Sequence, residues 1–403
     1  MSSAPSIGFS FSQALSAQAA KKVTSVIEPP VFKTTPTVQP PVLTGSKALL
    51  AAENWQRGEV QLRCIEKWNE THDVVSFRFQ GLTPVKFNFK PGQFITFKLD
   101  INGEKIYRSY TISSSPSRPF SLVVTVKRIT DGLVSNYLAD TLNVGDDVTV
   151  TGPDGIFNLI DIEADKYLLL SAGCGVTPMH SMSRWLCDTT TDSDIAFVHS
   201  AKTVHDIMFA DSMASMASRS PSFNLNYVLE SDSNKQDLTA KHTSTGCEGG
   251  RLSLETLVKL VPDYQQRTVF VCGPEPYMAA VKLMLEAAEF DMSQFNQESF
   301  GASSALGLKA ALDSNSSTER FMLSIGDKQV ELSGDQSLLD GIESAKLPII
   351  AACRTGVCGA CKCQVVSGTT VSSSKMALTA EEIAAGFVLA CSTKMTSNVQ
   401  LKM

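Results

Sequence analysis

The sequence predicts a multidomain protein in three folded parts: a small antiparallel β-barrel, an α/β domain on a parallel sheet, and a small α+β domain around a cysteine loop. Three observations carry this. The 403 residues exceed what one ordinary core supports. Near residue 159 the apolar pattern changes, from short alternating runs to continuous runs separated by helical stretches. Five of the ten cysteines, Cys353, Cys358, Cys361, Cys363 and Cys391, crowd the carboxyl-terminal end.

Residues 1–54 are expected to form a disordered leader or tether, being rich in Ser, Ala, Thr and Pro with "EPP" and "QPP" stops. Transit peptides favour arginine, and the first arginine here is Arg57. A helical turn around "SQALSAQAAKK" that docks on a partner is the other reading of this segment. Over 55–158, "VVSFRFQ", "QFITFKL", "FSLVVTVKRI" and "DDVTVTG" alternate as strands do, with "NGEK" and "SSSPSRP" as turns. Closely spaced strands of this kind suit a small barrel. Over 159–301, "KYLLLSAG" is a continuous apolar run, as a strand buried on both faces requires. "DIAFVHS", "FNLNYVLE" and "TVFVCGP" follow, interleaved with helical segments such as "PMHSMSRWLCD" and "GPEPYMAAVKLMLEAAEF". Strands alternating with helices imply a parallel sheet with crossover connections. Residues 302–318 read as a linker. In 319–403, "RFMLSIG" and "KQVELSG" read as a hairpin, "DQSLLDGIESAK" as a helix capped by Asp335, and "KCQVVSGTTV" as a strand. Thr379 and Glu382 form a capping-box pattern.

Composition narrows the function. A net charge of −6 with no long basic block argues against a general nucleic-acid binder. No apolar run approaches the roughly 18 residues of a membrane span. Clustered cysteines in a long chain without a signal peptide point to metal binding in a reducing, cytoplasmic compartment rather than to a disulfide scaffold.

The spacing Cys353-x4-Cys358-x2-Cys361, with Cys391 further on, matches the plant-type [2Fe–2S] pattern. Four thiolates leave such a cluster negative, and N–H groups brought close by Gly356 and Gly359 offset that charge. A zinc ribbon prefers paired CxxC knuckles, and here a single cysteine flanks the CxxC on each side. Cys363 falls outside the four-ligand pattern and reads as a core or partly exposed thiol, with a role as alternative ligand the lesser reading.

A [2Fe–2S] centre takes one electron and nicotinamide delivers two, so a flavin, which exchanges electrons singly or in pairs, belongs between them. The flavin candidate is "RSYT", Arg108, Ser109, Tyr110 and Thr111, at a strand end. Arg108 suits a pyrophosphate through a charge-assisted fork, Tyr110 suits the ring face, and the Thr111 hydroxyl suits its N5. Gly132, Val134 and Ser135 open a helix whose start suits phosphate oxygens. The nicotinamide candidate is "GCGVTP", Gly173, Gly175, Thr177 and Pro178, straight after the buried strand, with Pro178 expected at the first helical position. It lacks the full GxGxxG spacing. Cys272 and Gly273, in "CGPEPYM", end a later strand, where ligands of such sheets bind. Tyr110, Thr111 and Cys272 are the residues expected nearest the chemistry. His180 and His205 read as surface or packing residues, and the methionines of "HDIMFADSMASMAS" as packing.

These motifs, in this order, resemble the ferredoxin–NADP reductase superfamily over about residues 55–403, with a fused plant-type ferredoxin of β-grasp fold. Within it, "LLLSAGCGVTPMHSMSRWL", "VFVCGPEPYM" and the cysteine loop most resemble the NADH oxidoreductase that reduces hybrid cluster protein. The resemblance implies FAD held by Arg108, Ser109, Tyr110, Thr111, Gly132, Val134 and Ser135, with Thr111 where relatives more often carry serine. It implies NADH, with NADPH not excluded, held by Gly173, Gly175, Thr177, Pro178, Cys272 and Gly273. Ser200 and Lys202 lie where relatives choose between the two nucleotides, and lysine lacks the arginine fork. Glu298 and Phe300 match a position bordering the flavin, and Cys353, Cys358, Cys361 and Cys391 are the implied cluster ligands. The implied function is an electron-transfer enzyme passing electrons from NADH through FAD and [2Fe–2S] to a redox protein acceptor, with hybrid cluster protein the favoured partner. One alternative is the reductase of a Rieske-type oxygenase acting on a small amine or aromatic. The other is a nicotinamide-binding redox sensor without rapid turnover.

Overall fold

The computed structural model describes residues 51–190, 192–231, 246–300, 319–347, 349, 354, 356, 359, 361–375 and 378–402. The expected leader, apart from its last few residues, and the expected linker lie outside these. Strands are β1 (Glu53–Trp55), β2 (Gly58–Thr71), β3 (Val74–Gly81), β4 (Val85–Phe87), β5 (Phe94–Ile101), β6 (Glu104–Thr111), β7 (Leu122–Lys127) and β8 (Asp147–Asp154) in the first part. Six of them form an antiparallel sheet in the order β6-β5-β8-β2-β3-β7. The sheet curls until Ile112, just past β6, bridges Val124 of β7. Alternation explains the curl. Leu62, Phe77, Phe79, Ile95, Phe97, Leu122, Val124 and Val150 are buried in one cluster inside it. The helix α1 (Leu133–Thr141) adds Val134, Leu138 and Ala139 to that cluster. Lys67 Nζ donates to the Ala139 and Leu142 carbonyls at 2.9 and 2.7 Å, satisfying the end of α1.

The second part contains β9 (Lys166–Ala172), α2 (Val176–Thr189), β10 (Asp194–Ala201), α3 (Ala210–Arg219), β11 (Phe223–Leu229), β12 (Gly246–Gly249), α4 (Leu254–Leu260), β13 (Thr268–Cys272), α5 (Glu275–Ala287) and β14 (Phe295–Glu298). Its strands are all parallel, in the order β12-β11-β10-β9-β13-β14. The continuous apolar run of β9 serves two layers: Tyr167 and Leu169 join the cluster of α2 and α3, Leu168 and Leu170 that of α4 and α5. At the sheet's amino end the buried Arg267 makes a bidentate pair with Asp263 (2.8 and 3.0 Å). It also bonds Asp194 Oδ1 at 2.8 Å and the Tyr167 carbonyl at 3.2 Å.

The third part has β15 (Arg320–Ile325), β16 (Lys328–Ser333), α6 (Leu338–Ser344), β17 (Lys362–Ser367), β18 (Thr370–Ser372), α7 (Ala380–Ala384), β19 (Phe387–Leu389), β20 (Thr393–Met395) and β21 (Val399–Lys402). Its mixed sheet runs β16-β15-β21-β17-β19, with β18-β20 apart. Two expectations need correction. Asp335 does not cap α6: Ser337 does, accepting from Asp340 N at 3.2 Å while Asp340 Oδ2 accepts from Ser337 N at 2.8 Å. That reciprocal box satisfies two helix-end groups, which a cap three residues before the helix does not reach. "KCQVVSGTTV" is two strands, because Gly368 at φ +96° breaks it. The Thr379–Glu382 box forms as expected.

Candidate cofactor sites

The parallel sheet changes direction between β9 and β13: from β9 the chain moves outward to β10, β11 and β12, and then returns to β13 on the other side. Ligands of open α/β sheets bind at such a switch point, outside the carboxyl ends of the strands. The turn Gly173–Gly175 follows β9, and Cys272 and Gly273 lie at the end of β13, so the sheet brings both nicotinamide candidates to one crevice. Gly175 is required by space. A Cβ there would lie 2.0 Å from the Cys272 carbonyl oxygen. Gly173 is required by its φ of +51°, and no atom lies within 4 Å of a Cβ built on it.

Pro178 is not at the expected first helical position. Pro178 is the third residue of α2, still in the first turn where its missing N–H costs nothing. The Thr177 hydroxyl is buried and donates to the Cys174 carbonyl at 2.9 Å, bracing the turn from inside. Cys272 is fully buried, and burial first, then Glu298 nearby, push its thiol well above its ordinary range, so it is a neutral wall of the crevice. Glu298 stands opposite Cys272 in the β13–β14 register, and Phe300 is exposed beyond it. Lys202 is exposed, without an ion pair to a described residue. The Ser200 and Tyr277 hydroxyls are buried and make no hydrogen bond of good geometry. They are nevertheless close enough for Ser200 to temper the upward push that burial gives the Tyr277 pKa. Such hydroxyls, one near the end of β10 and one in the first turn of α5, fit a polar ligand such as a dinucleotide.

On β6, strand alternation puts Arg108 and Tyr110 on one face, Ser109 and Thr111 on the other. The guanidinium of Arg108 has no hydrogen bond or ion pair to a described residue, so it is free for a phosphate. Tyr110 packs edge-on to Phe97 at 5.8 Å, and its phenol is raised by burial first, with Arg108 lowering and Cys174 raising it. The Gly173–Gly175 turn lies against β7, the strand that Ile112, just past β6, bridges. The Ser109 hydroxyl bonds Thr96 at 2.9 Å, which leaves only its backbone for a cofactor. Ser135 is also turned inward: its Oγ accepts from Ile129 N at 3.1 Å. No side chain caps α1, so its first N–H groups are available to an anion. A Cβ at Gly132 would sit 2.7 Å from Ser135 Oγ, which keeps that entrance glycine. A guanidinium without a described partner and an uncapped helix start each fit a phosphate oxygen.

In the third part Cys361 and Cys391, thirty residues apart, bring their sulfurs to 3.2 Å, and Cys391 N donates to Cys361 Sγ at 3.4 Å. Cys353 and Cys358 lie outside the described residues. Gly356 and Gly359 hold φ of +78° and +75°, as a loop folding its N–H groups inward requires. Arg354 pairs with Glu343 and Lys362 with Glu382, so both loop cations are neutralised. Cys363 is buried in the core cluster, its thiol pushed up to about 12 chiefly by burial.

His199 carried no signal in the sequence. It is buried in β10, its Nδ1 sharing a hydrogen bond with Ser171 Oγ at 2.9 Å, and burial pushes it down to about 4. A separate cleft of about 510 Å³ opens between the first and second parts, bordered by Trp68, Arg118, His180 and Phe209. None of the candidate site residues lines it.

Three family models match in the order of the folded parts: an oxidoreductase FAD-binding domain over residues 61–159, an oxidoreductase NAD-binding domain over 169–283, and a 2Fe-2S iron-sulfur cluster binding domain over 324–396. The glycine betaine monooxygenase reductase subunit of Chromohalobacter salexigens is 40% identical over 365 residues, 88% of this chain and 98% of that protein. The chain belongs to the ferredoxin–NADP reductase family, with a C-terminal [2Fe–2S] domain. It is an NAD(P)H-dependent oxidoreductase with FAD-binding, NAD-binding and [2Fe–2S] domains, whose acceptor is a redox protein. The stachydrine N-demethylase reductase subunit Stc4 of Rhizobium meliloti is 33% identical, over 86% of this chain and 97% of that protein. The NADH oxidoreductase HCR of Escherichia coli is 36% identical, over 76% and 86%. Among solved structures, phthalate dioxygenase reductase shares the fold at a TM-score of 0.53 with 21% identity, covering 86% of this chain and 98% of that one. Among the described residues no helix is long and apolar enough to cross a membrane.

Proposed function

We propose that this protein is the reductase component of an oxygenase acting on a small amine, taking electrons from NADH and delivering them through FAD and the [2Fe–2S] cluster. Bound flavin supplies the conversion from two-electron to one-electron chemistry. Arg108 and the start of α1 hold its pyrophosphate, Tyr110 lies against the ring, and Thr111 and the Ser109 backbone complete that side. Gly173, Gly175, Cys272 and Gly273 admit the nicotinamide, with Ser200 and Lys202 toward the adenosine end and Glu298 and Phe300 at the flavin edge. Cys353, Cys358, Cys361 and Cys391 hold the cluster. The domain bounds 55–158, 159–301 and 319–403 belong to this reading.

The observation that carries the acceptor is the extent of likeness. Relatives named as reductase subunits of a betaine monooxygenase and a stachydrine demethylase match nearly their whole length, cluster domain included. Hybrid cluster protein is the second reading, favoured by the shorter match to HCR. The deciding experiment offers the purified, cofactor-loaded protein a Rieske-type oxygenase of small quaternary amines and hybrid cluster protein in parallel, with NADH and NADPH compared. Coupled demethylation with NADH supports the proposal. Reduction of hybrid cluster protein alone overturns it in favour of the second reading. Cys358→Ser should abolish cytochrome c reduction while direct dye reduction by flavin persists.

A further inference from the structure

His180 lies one turn beyond the Thr177–Pro178 pair, on α2, and reaches across to the segment that follows the flavin strand. Its Nδ1 is 2.8 Å from the Ser113 carbonyl oxygen and its Nε2 is 2.9 Å from Ser212 Oγ. A carbonyl only accepts, so Nδ1 carries the proton and Nε2 accepts from the Ser212 hydroxyl. The imidazole also stacks on Phe209, with centroids 4.2 Å apart and planes at 19°. Phe209 holds φ +58°, a left-handed conformation that a bulky residue adopts only when its surroundings enforce it. The next residue repeats the connection: Ser181 Oγ donates to the Ser114 carbonyl at 2.7 Å. Two helical turns further on, Asp188 Oδ2 accepts from Ser117 Oγ at 2.7 Å.

Ser113 and Ser114 follow Thr111 by two and three residues, and His180 and Ser181 follow Pro178 by the same intervals. The hydrogen bonds thus join the two candidate cofactor segments at equal, short remove from each. Neither histidine nor serine lies where either cofactor is placed.

We propose that His180 is a positioning residue: clamped between the Ser113 carbonyl and the Ser212 hydroxyl, it sets the spacing between the β6 end and the Gly173–Gly175 turn, with Ser181 as its second fastening. This rests on the assignment of those two segments to FAD and nicotinamide. Burial pushes the imidazole down to about 4, against the opposing hydrogen bond to Ser113, so the clamp stays neutral and unchanged through the physiological range.

The test compares the cofactor-loaded wild type with His180→Ala, His180→Asn and Ser181→Ala. Asparagine retains an N–H donor toward the Ser113 carbonyl. Three quantities are read: the rate of flavin bleaching at saturating NADH, the affinity for the non-reducing product NAD+, and amide hydrogen exchange over residues 111–118 and 173–189. Because a misplacement near 1 Å lowers rates by up to about 100-fold, His180→Ala should slow bleaching by about tenfold, with NAD+ affinity changed less than about twofold. Exchange should rise in both segments together, and His180→Asn should recover most of the rate. A wild-type bleaching rate in His180→Ala, or exchange raised in one segment only, overturns the inference. A wild type that NADH does not bleach overturns the cofactor assignment itself.

Discussion

Substituting Gly175 by alanine tests whether the Gly173–Gly175 turn, the proposed nicotinamide site, must lie against the end of β13. The added Cβ would fall 2.0 Å from the Cys272 carbonyl oxygen and 2.6 Å from Gly273 N, both backbone atoms. Real Cβ atoms do not approach closer than 3.0 Å, so the turn and the strand end must part by about 1 Å. Neither can rotate away as a side chain would. A displacement of that size at a reacting pair costs on the order of 100-fold in rate. Gly173→Ala is the matched control: no atom lies within 4 Å of its Cβ, and only the φ of +51° opposes it, at roughly 1–2 kcal/mol. The assay is NADH-driven dye reduction, normalised to bound flavin, alongside denaturant midpoints. Gly175→Ala should lose activity on the order of 100-fold, whereas Gly173→Ala should lose stability and keep most of its turnover. Full turnover in Gly175→Ala, with flavin bound, would refute the close-approach argument.

Three further outcomes are expected. Arg267 first, and Lys166 after it, hold Asp263 down at about 2 from an ordinary 3.8. The unfolded chain therefore binds more protons in that interval, so the stability from Asp263 is complete above about pH 4 and falls away as pH drops toward 2. Denaturant midpoints from pH 6 to 2.5 should show an acid limb that Asp263→Asn flattens. Electron transfer from the cluster domain should depend only modestly on salt, because residues 319–403 carry eight basic and eight acidic side chains and both loop cations are paired. A steep fall in rate with ionic strength would contradict this. Cys363→Ala should keep the cluster's visible absorbance and lower stability by about 1 kcal/mol, since the thiol fills core space.

What the sequence determined by itself is chiefly what rests on local periodicity and local spacing. The alternating runs of β3, β5, β7 and β8, the buried β9, and the helices α2 and α5 are legible because each buries apolar residues at the period of its own backbone. The Thr379 box is legible for the same reason, its chemistry being contained within four residues, whereas the approach of Cys391 to Cys361 across thirty residues is a matter of the fold. Strand β12, "GCEG", carries no apolar pattern and exists only because β11 offers it an edge. Ser337 replaced Asp335 as a cap because helix ends are settled by which hydroxyl reaches the third N–H, a matter of one residue's geometry. The tertiary structure alone decided which hydroxyls remain available. Ser109, Thr177 and Ser135 look identical in sequence to unbonded hydroxyls, but each already shares a hydrogen bond, with Thr96, the Cys174 carbonyl and Ile129 N respectively. It also decided that His180, indistinguishable in sequence from a surface histidine, joins two domains. A partner 67 residues away leaves no trace in local pattern, because packing at that range depends on how whole layers meet.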